Sequence, residues 1–309
     1  MTDAPGIIVL GVPRSGTTLL RRLLGAHSSI ACPPETNLLS AASRFIEEHD
    51  FAGGMSVGVV PGLHFSGFSE ETVLRRVREF VEGFFTDIAK EQGKRRWAEK
   101  TAVDIFHLDQ IERLFGGSCQ FVCLVRHPLD VIASMQDLSD KMGSFLPELH
   151  VYVSRHLSPL EAFAHAWADA NRRLLLFQRA HAANSVLIRY EDLTREPAAR
   201  LDELFRFLGE PGDVESVMKA AFETPGRVGL GDWKTYSAAS VSSASVGRGA
   251  QLDPHLVAKV ADIVNPVMIE LGYEPIAVAP TVTGSAARRR YELGLRVAGM
   301  RSLQHSERS

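Results

Sequence analysis

Cysteine is scarce: three residues in 309, at positions 32, 119 and 123. An odd, sparse set, two of them in or beside an apolar run, excludes a disulfide framework and fits reduced thiols. Long apolar runs are missing as well. No stretch approaches the roughly 18 residues a membrane helix needs, so no integral membrane segment is expected. Residues 1–5 lack a basic start and the apolar run after them is short, which reads as no secretory signal and a cytoplasmic location. Charge of one sign is lacking too. The 34 basic and 37 acidic residues leave a net of −3, which makes no electrostatic case for a nucleic-acid partner. The 11 histidines show no compact ligand spacing. His107, His127 and His165 read as surface or packing residues, and no metal is expected. G-x-S-x-G, C-x-x-C and a dinucleotide-type G-x-G-x-x-G in context are all absent, which removes several enzyme classes.

What remains is ordinary globular composition, 45% hydrophobic and 23% charged, enough for one large domain or two small ones. Three short runs, Ile7–Leu10, Phe121–Val125 and Val186–Ile188, read as strands buried on both faces. Helical patterns follow each: an apolar face after Ser69 through Val73, Val77 and Val81, then 104–114, 159–180 and 197–208, and one begun by Asp253-Pro254 that Pro266 should kink or break. Strands alternating with helices predict an α/β protein, a P-loop-like three-layer fold whose central parallel sheet is flanked by helices. Ligands then gather at the carboxyl ends of the strands, which would align three polar clusters that sequence keeps far apart. The stretches 51–67 and 137–158 read as loops or loosely helical flaps over that edge, and 229–249 as a long irregular segment. The last 25 residues hold six arginines against two glutamates, with a short helix over 286–297. They suit contact with a second copy as a homodimer, a carrier protein or a membrane surface; a solvated basic tail is the simpler reading.

Chemistry concentrates at the first strand. Gly11-Val12-Pro13-Arg14-Ser15-Gly16-Thr17-Thr18 is a strand–turn–helix junction of the kind that points backbone N–H groups at an anion. Its spacing is that of a nucleotide phosphate loop, but Thr17 stands where the lysine belongs and a cation, Arg14, lies inside the loop. A Mg²⁺-nucleoside triphosphate needs that lysine, so the loop favours a phosphate and disfavours ATP. Arg126 ends the second strand and Ser134 lies about two turns into the helix opened by Pro128. A guanidinium fork and a hydroxyl suit a second phosphate; equally, Asp130 one turn on is an ordinary ion-pair partner for Arg126. Glu35, held by Pro33-Pro34, is either a positioned general base or a first-turn helix carboxylate. Lys100, after Trp97-Ala98-Glu99, is either a stabiliser of leaving-group charge or a solvated cation.

Together these segments resemble the sulfotransferases that use 3′-phosphoadenosine 5′-phosphosulfate, most closely the protein-tyrosine sulfotransferase branch and its bacterial relatives. Pro13 to Thr18 is similar to the family's 5′-phosphosulfate loop, and Leu124-Val125-Arg126-His127-Pro128 through Ser134 to its 3′-phosphate motif. Tyr190-Glu191-Asp192-Leu193, Glu99-Lys100-Thr101 and Leu271-Gly272-Tyr273-Glu274-Pro275 resemble further family segments. Gly231-Asp232-Trp233-Lys234 echoes a motif of the cytosolic members. The resemblance implies a sulfotransferase domain over 1–280 and a basic tail over 281–309. It implies that Arg14, Ser15, Gly16, Thr17 and Thr18 hold the 5′-phosphosulfate, and that Arg126, Ser134 and Arg248 hold the 3′-phosphate. Tyr190 would lie near the adenine, Glu35 would be the base and Lys100 would sit near the bridging oxygen, without a metal. Asn37 stands where the tyrosine sulfotransferases carry an arginine that meets the acceptor peptide. A small-molecule or natural-product hydroxyl is therefore expected as acceptor ahead of protein tyrosine. Two rivals stand beside this reading: a P-loop small-molecule kinase and a non-catalytic nucleotide-binding module.

Overall fold

Five strands run parallel in the order β2-β5-β1-β6-β7. They are β1 (Gly6–Leu10), β2 (Ile30–Ala31), β5 (Arg96–Glu99), β6 (Cys119–Val125) and β7 (Ser185–Arg189). A separate antiparallel hairpin joins β3 (His49–Phe51) to β4 (Met55–Val57). The computed structural model describes residues 4–223, 240–277 and position 293. Two compact units divide the chain, Met1–Pro275 and Ile276–Ser309. The first contains every element named here. The segment Gly231-Asp232-Trp233-Lys234, most of the irregular stretch 229–249 and all but Leu293 of the tail helix expected over 286–297 lie outside the described residues.

β1 and β7 form where β-branched residues cluster, at Ile7-Ile8-Val9 and at Val186 and Ile188, and alternation sends successive side chains to opposite faces. Ile7 and Val9 of β1 join Val122 and Leu124 of β6 in one apolar cluster. Onto that face pack α1 (Thr17–Ala26), through Leu19, Leu20 and Leu23, and α10 (Pro197–Leu208), through Leu201, Leu204 and Phe205. The other face carries Ile8, Leu10, Phe121 and Cys123, all fully buried. There α8 (Pro159–Ala180) covers the sheet, with Phe177 edge-on to Phe121 at 4.8 Å. Helix, sheet, helix: the three expected layers are present.

The remaining helices are α2 (Leu38–Phe45), α3 (Val59–Phe65), α4 (Glu70–Glu91), α5 (Leu108–Phe115), α6 (Pro128–Met142), α7 (His150–Val153), α9 (Tyr190–Arg195), α11 (Val214–Glu223) and α12 (Pro254–Glu270). Ser69 caps α4 by accepting from the Thr72 amide at 3.2 Å. The structure refines four expectations. Of the two readings for 51–67, loop or loosely helical flap, 59–65 takes the helical one as α3, with β4 before it. The flap 137–158 begins as the last turns of α6 and includes α7. The helix expected over 104–114 splits into a 3₁₀ turn, Ala102–His107, and α5, because His107 leaves helical backbone at φ −110° and ψ 24°. Pro266 does not break α12; it sits on the exposed face, as does Asp262, whose carbonyl a proline four residues on leaves without its helical donor.

Candidate active site

Each strand of the sheet ends, at its carboxyl edge, on a residue or loop with site chemistry. β1 runs into the Gly11–Gly16 turn, β2 into Cys32–Glu35, β5 into Lys100, β6 into Arg126 and β7 into Tyr190. Sequence reading found three of these edges. The strands leading to Glu35 and Lys100, two and four residues long, are too short to show a pattern on their own.

The first turn is tight. The Ser15 amide donates to the Val12 carbonyl at 3.0 Å, and both Arg14 (φ 74°) and Gly16 (φ 96°) take left-handed backbone. Arg14 does so despite its side chain, which marks a strained residue held by its surroundings. Gly16 admits no alternative, since a Cβ there would sit 2.2 Å from the Tyr190 ring. α1 starts at Thr17 with no side-chain cap and no carboxylate in its first turn, so its positive end faces the turn.

Arg126 meets this turn from β6. Its Nη1 donates to the Arg14 carbonyl at 3.1 Å, while Arg14 Nε donates to Ser134 Oγ at 3.0 Å. The Arg126 guanidinium lies 4.3 Å above the Tyr190 ring, and Trp167 Nε1 donates to the Arg126 carbonyl at 3.1 Å. Arg126 also donates through Nη2 to the Ser245 carbonyl and pairs with Asp130 at 3.6 Å. The ordinary ion pair and the site geometry therefore coexist. Arg126 is 4% exposed, and its Nε and the Ser15 Oγ are buried without a hydrogen-bond partner. Two polar atoms left so at one turn suit an anion's oxygens.

Asp130 has a second task that sequence reading missed. Its carboxylate accepts from the amides of Gly247 (2.9 Å) and Gly249 (2.8 Å), tying residues 245–249 to the start of α6. Tyr190 OH and Ser245 Oγ, 2.7 Å apart, add a second tie. Arg248, between the two glycines, pairs with Asp137 on the same helix.

Glu35 is not a first-turn helix residue. α2 begins only at Leu38, after Asn37 at φ 57°, and Glu35 precedes it in the connecting segment. Lys100 is not solvated: it is 1% exposed and donates to Glu35 Oε1. Glu35 lines a cavity of about 80 Å³ together with Arg14, Gly16, Thr17 and Thr18. Behind the pair lie Glu99 and Asp104, both fully buried. Thr101 Oγ1 donates to Glu99 at 2.6 Å and accepts from the Asn37 amide at 3.2 Å, so Glu99 braces the segment that carries Glu35. Burial pushes the Glu99 carboxyl up to about 7. Burial, with Glu99 and Glu35 nearby, holds Asp104 well above the usual carboxylate range.

Residues 5–214 match the sulfotransferase family. The nodulation protein NoeE of Sinorhizobium fredii is 29% identical over 279 residues, 86% of this chain and 65% of NoeE; the chain spans just under two thirds of that relative. Protein-tyrosine sulfotransferase 1 of Danio rerio is 23% identical over 289 residues, 90% of this chain and 75% of that protein. The fold is similar to the sulfotransferase domain of the olefin synthase from Synechococcus PCC 7002. The TM-score is 0.61 at 22% identity, over 88% of this chain and 96% of that one. With a match that runs over more than half of the sequence and through both arginine loops, the chain belongs to the sulfotransferase family.

Proposed function

We propose that this chain moves a sulfuryl group from 3′-phosphoadenosine 5′-phosphosulfate to a hydroxyl of a small-molecule acceptor. One observation carries the reading: two anion-suited loops from distant sequence meet, with Arg126 on the Arg14 carbonyl across 112 residues, beside a cavity lined by Glu35. The unpartnered Arg126 Nε and Ser15 Oγ fit the donor's phosphate oxygens.

The donor supplies an activated sulfuryl group and departs as a bisphosphate. The turn amides, the α1 terminus and Arg14 hold its 5′ end; Arg126 and Ser134 hold the 3′-phosphate, with Arg248 reaching the same group and Tyr190 near the adenine. Glu35 takes the acceptor's hydroxyl proton as the new S–O bond forms and the old one breaks. Lys100 positions that carboxylate and offsets charge at the bridging oxygen. A donor of the loop's kind contributes about 10²–10³ in rate and a general base about 10²–10⁴. Side-chain cations and amides neutralise the single extra charge on the departing nucleotide, so the missing loop lysine is no obstacle. Asn37, at the acceptor arginine of the tyrosine sulfotransferases, supports a small molecule over a peptide. The domain is assigned to 1–280, the basic tail to 281–309.

Thermal shift separates the readings. 3′,5′-Bisphosphoadenosine should stabilise the protein without Mg²⁺, and Arg126→Ala should weaken it far more than 5′-AMP. Stabilisation by Mg-ATP alone would make this a kinase; ligand binding without turnover on a broad panel of alcohols would make it a binding module.

A further inference from the structure

A second, larger cavity of about 520 Å³ lies between α2, α3 and α4. Leu38, Ala41 and Phe45 of α2, Leu63 of α3, and Arg76 and Phe80 of α4 wall it. None of these takes part in the chemistry above. Leu38, Ala41 and Phe45 recur at helical spacing and form one stripe of α2, while Leu39 and Ser43 are turned into the core. The volume is that of a site for a small organic molecule, roughly 300–1,000 Å³. Its walls are carbon except at Arg76, whose guanidinium lies 5.2 Å from the Phe68 ring. Such walls reward an apolar occupant and give a polar one almost nothing to bond. At the rim, Phe45 is 52% and Phe80 65% exposed, a contiguous apolar surface that a soluble protein ordinarily covers.

Where the groove begins decides what fills it. Leu38 follows Glu35 by three residues, and three residues span at most about 11 Å. The groove's first wall residue is therefore within that distance of the candidate base, Cα to Cα. The small cavity at Glu35 is itself completed by Ala102, Val103, Leu138 and Leu146, again all carbon. The two cavities share no wall residue; what joins them is the short link from Glu35 to Leu38. We propose that the groove holds the hydrocarbon tail of the acceptor. The acceptor is then an amphiphilic alcohol, its hydroxyl at Glu35 and its tail along α2 toward Phe45 and Phe80. The acceptor role rests on the sulfuryl-transfer reading; the tail site does not.

The test uses the full chain and a series of n-alkanols from butanol to tetradecanol, read by displacement of 1-anilinonaphthalene-8-sulfonate and by turnover with labelled donor. Affinity and kcat/KM should rise about fourfold per methylene until the groove is full. Ala41 is exposed on α2, so Ala41→Trp fills the groove without entering the core. That variant should lose at least tenfold on long alcohols, little on butanol, and nothing in its thermal response to 3′,5′-bisphosphoadenosine. Affinity independent of tail length, or unaffected by Ala41→Trp, overturns the groove. A dimer in solution that Ala41→Trp dissolves also overturns it, by making a second copy the occupant. Long alcohols that bind but are never sulfated, while short polar alcohols are, overturn the acceptor role. If the bisphosphate itself fails to bind and no alcohol reacts, the sulfuryl-transfer reading has failed and takes the acceptor role with it.

Discussion

Lys100 shows how burial changes what a residue means. A lone lysine after a four-residue strand is usually solvated; here it is 1% exposed, and Glu35 is its partner. Removing the proposed base without disturbing the pocket isolates its share: Glu35→Gln should retain 3′,5′-bisphosphoadenosine binding and lose about 10²–10⁴ in turnover. Near wild-type sulfation by that variant would assign the proton to another group. Glu99 carries a separate, pH-dependent prediction. Its folded carboxyl is raised to about 7 from an ordinary 4.5, so the folded chain keeps a proton that the unfolded chain releases first. Stability should therefore fall as pH rises from about 4.5 to about 7 and level off above. Glu99→Gln removes that proton and should make the slope shallower, with Asp104 supplying the remainder, since it is displaced in the same direction. Urea denaturation across pH 5–8 measures this; identical slopes for the two proteins would place the proton elsewhere.

At the scale of elements, α6 organises the site. Its first turn supplies Asp130, which holds the Gly247 and Gly249 amides, and its second supplies Ser134, which holds Arg14. Asp130→Asn leaves one carbonyl where two oxygens accepted, and turns the other into a donor facing an amide. Hydrogen exchange at Gly247 and Gly249 should accelerate by about tenfold or more, consistent with the roughly 1–3 kcal/mol cost of an orphaned buried partner. Unchanged protection there would mean that other contacts hold the segment. Gly16→Ala is the matching test on the turn before α1. The new Cβ meets the Tyr190 ring in a left-handed backbone, so donor affinity should drop along with Tm.

Over the whole first unit, function follows from one geometric fact, that all five strands point the same way. Their carboxyl ends bring segments near residues 14, 35, 100, 126 and 190 to one edge of the sheet. The proposed nucleotide, bound across that edge, would touch loops from β1, β6 and the 245–249 segment at once, so it should stabilise the unit as a body. At a hundred times its Kd it should add about 2.7 kcal/mol, a rise in Tm on the order of 5 °C. Differential scanning calorimetry with 3′,5′-bisphosphoadenosine checks this.

Sequence alone determined the α/β class, three of the five sheet strands and the small-residue turn before α1; only a family resemblance placed Arg14 with Arg126 and Ser134. The first three are local features: β-branched runs, a small-residue turn and residues at helical spacing are written in neighbouring letters. It did not determine the strands of two and four residues that deliver Glu35 and Lys100, the burial of Lys100, or the carboxylates of Glu99 and Asp130 as braces. Nor did it mark the apolar groove of α2, whose walls come from three helices. Each depends on contacts between separate elements; parallel alignment of the sheet brings Glu35 and Lys100 to one edge, and helix packing closes the groove. Periodicity records which face of an element is buried; it does not record what that face is buried against.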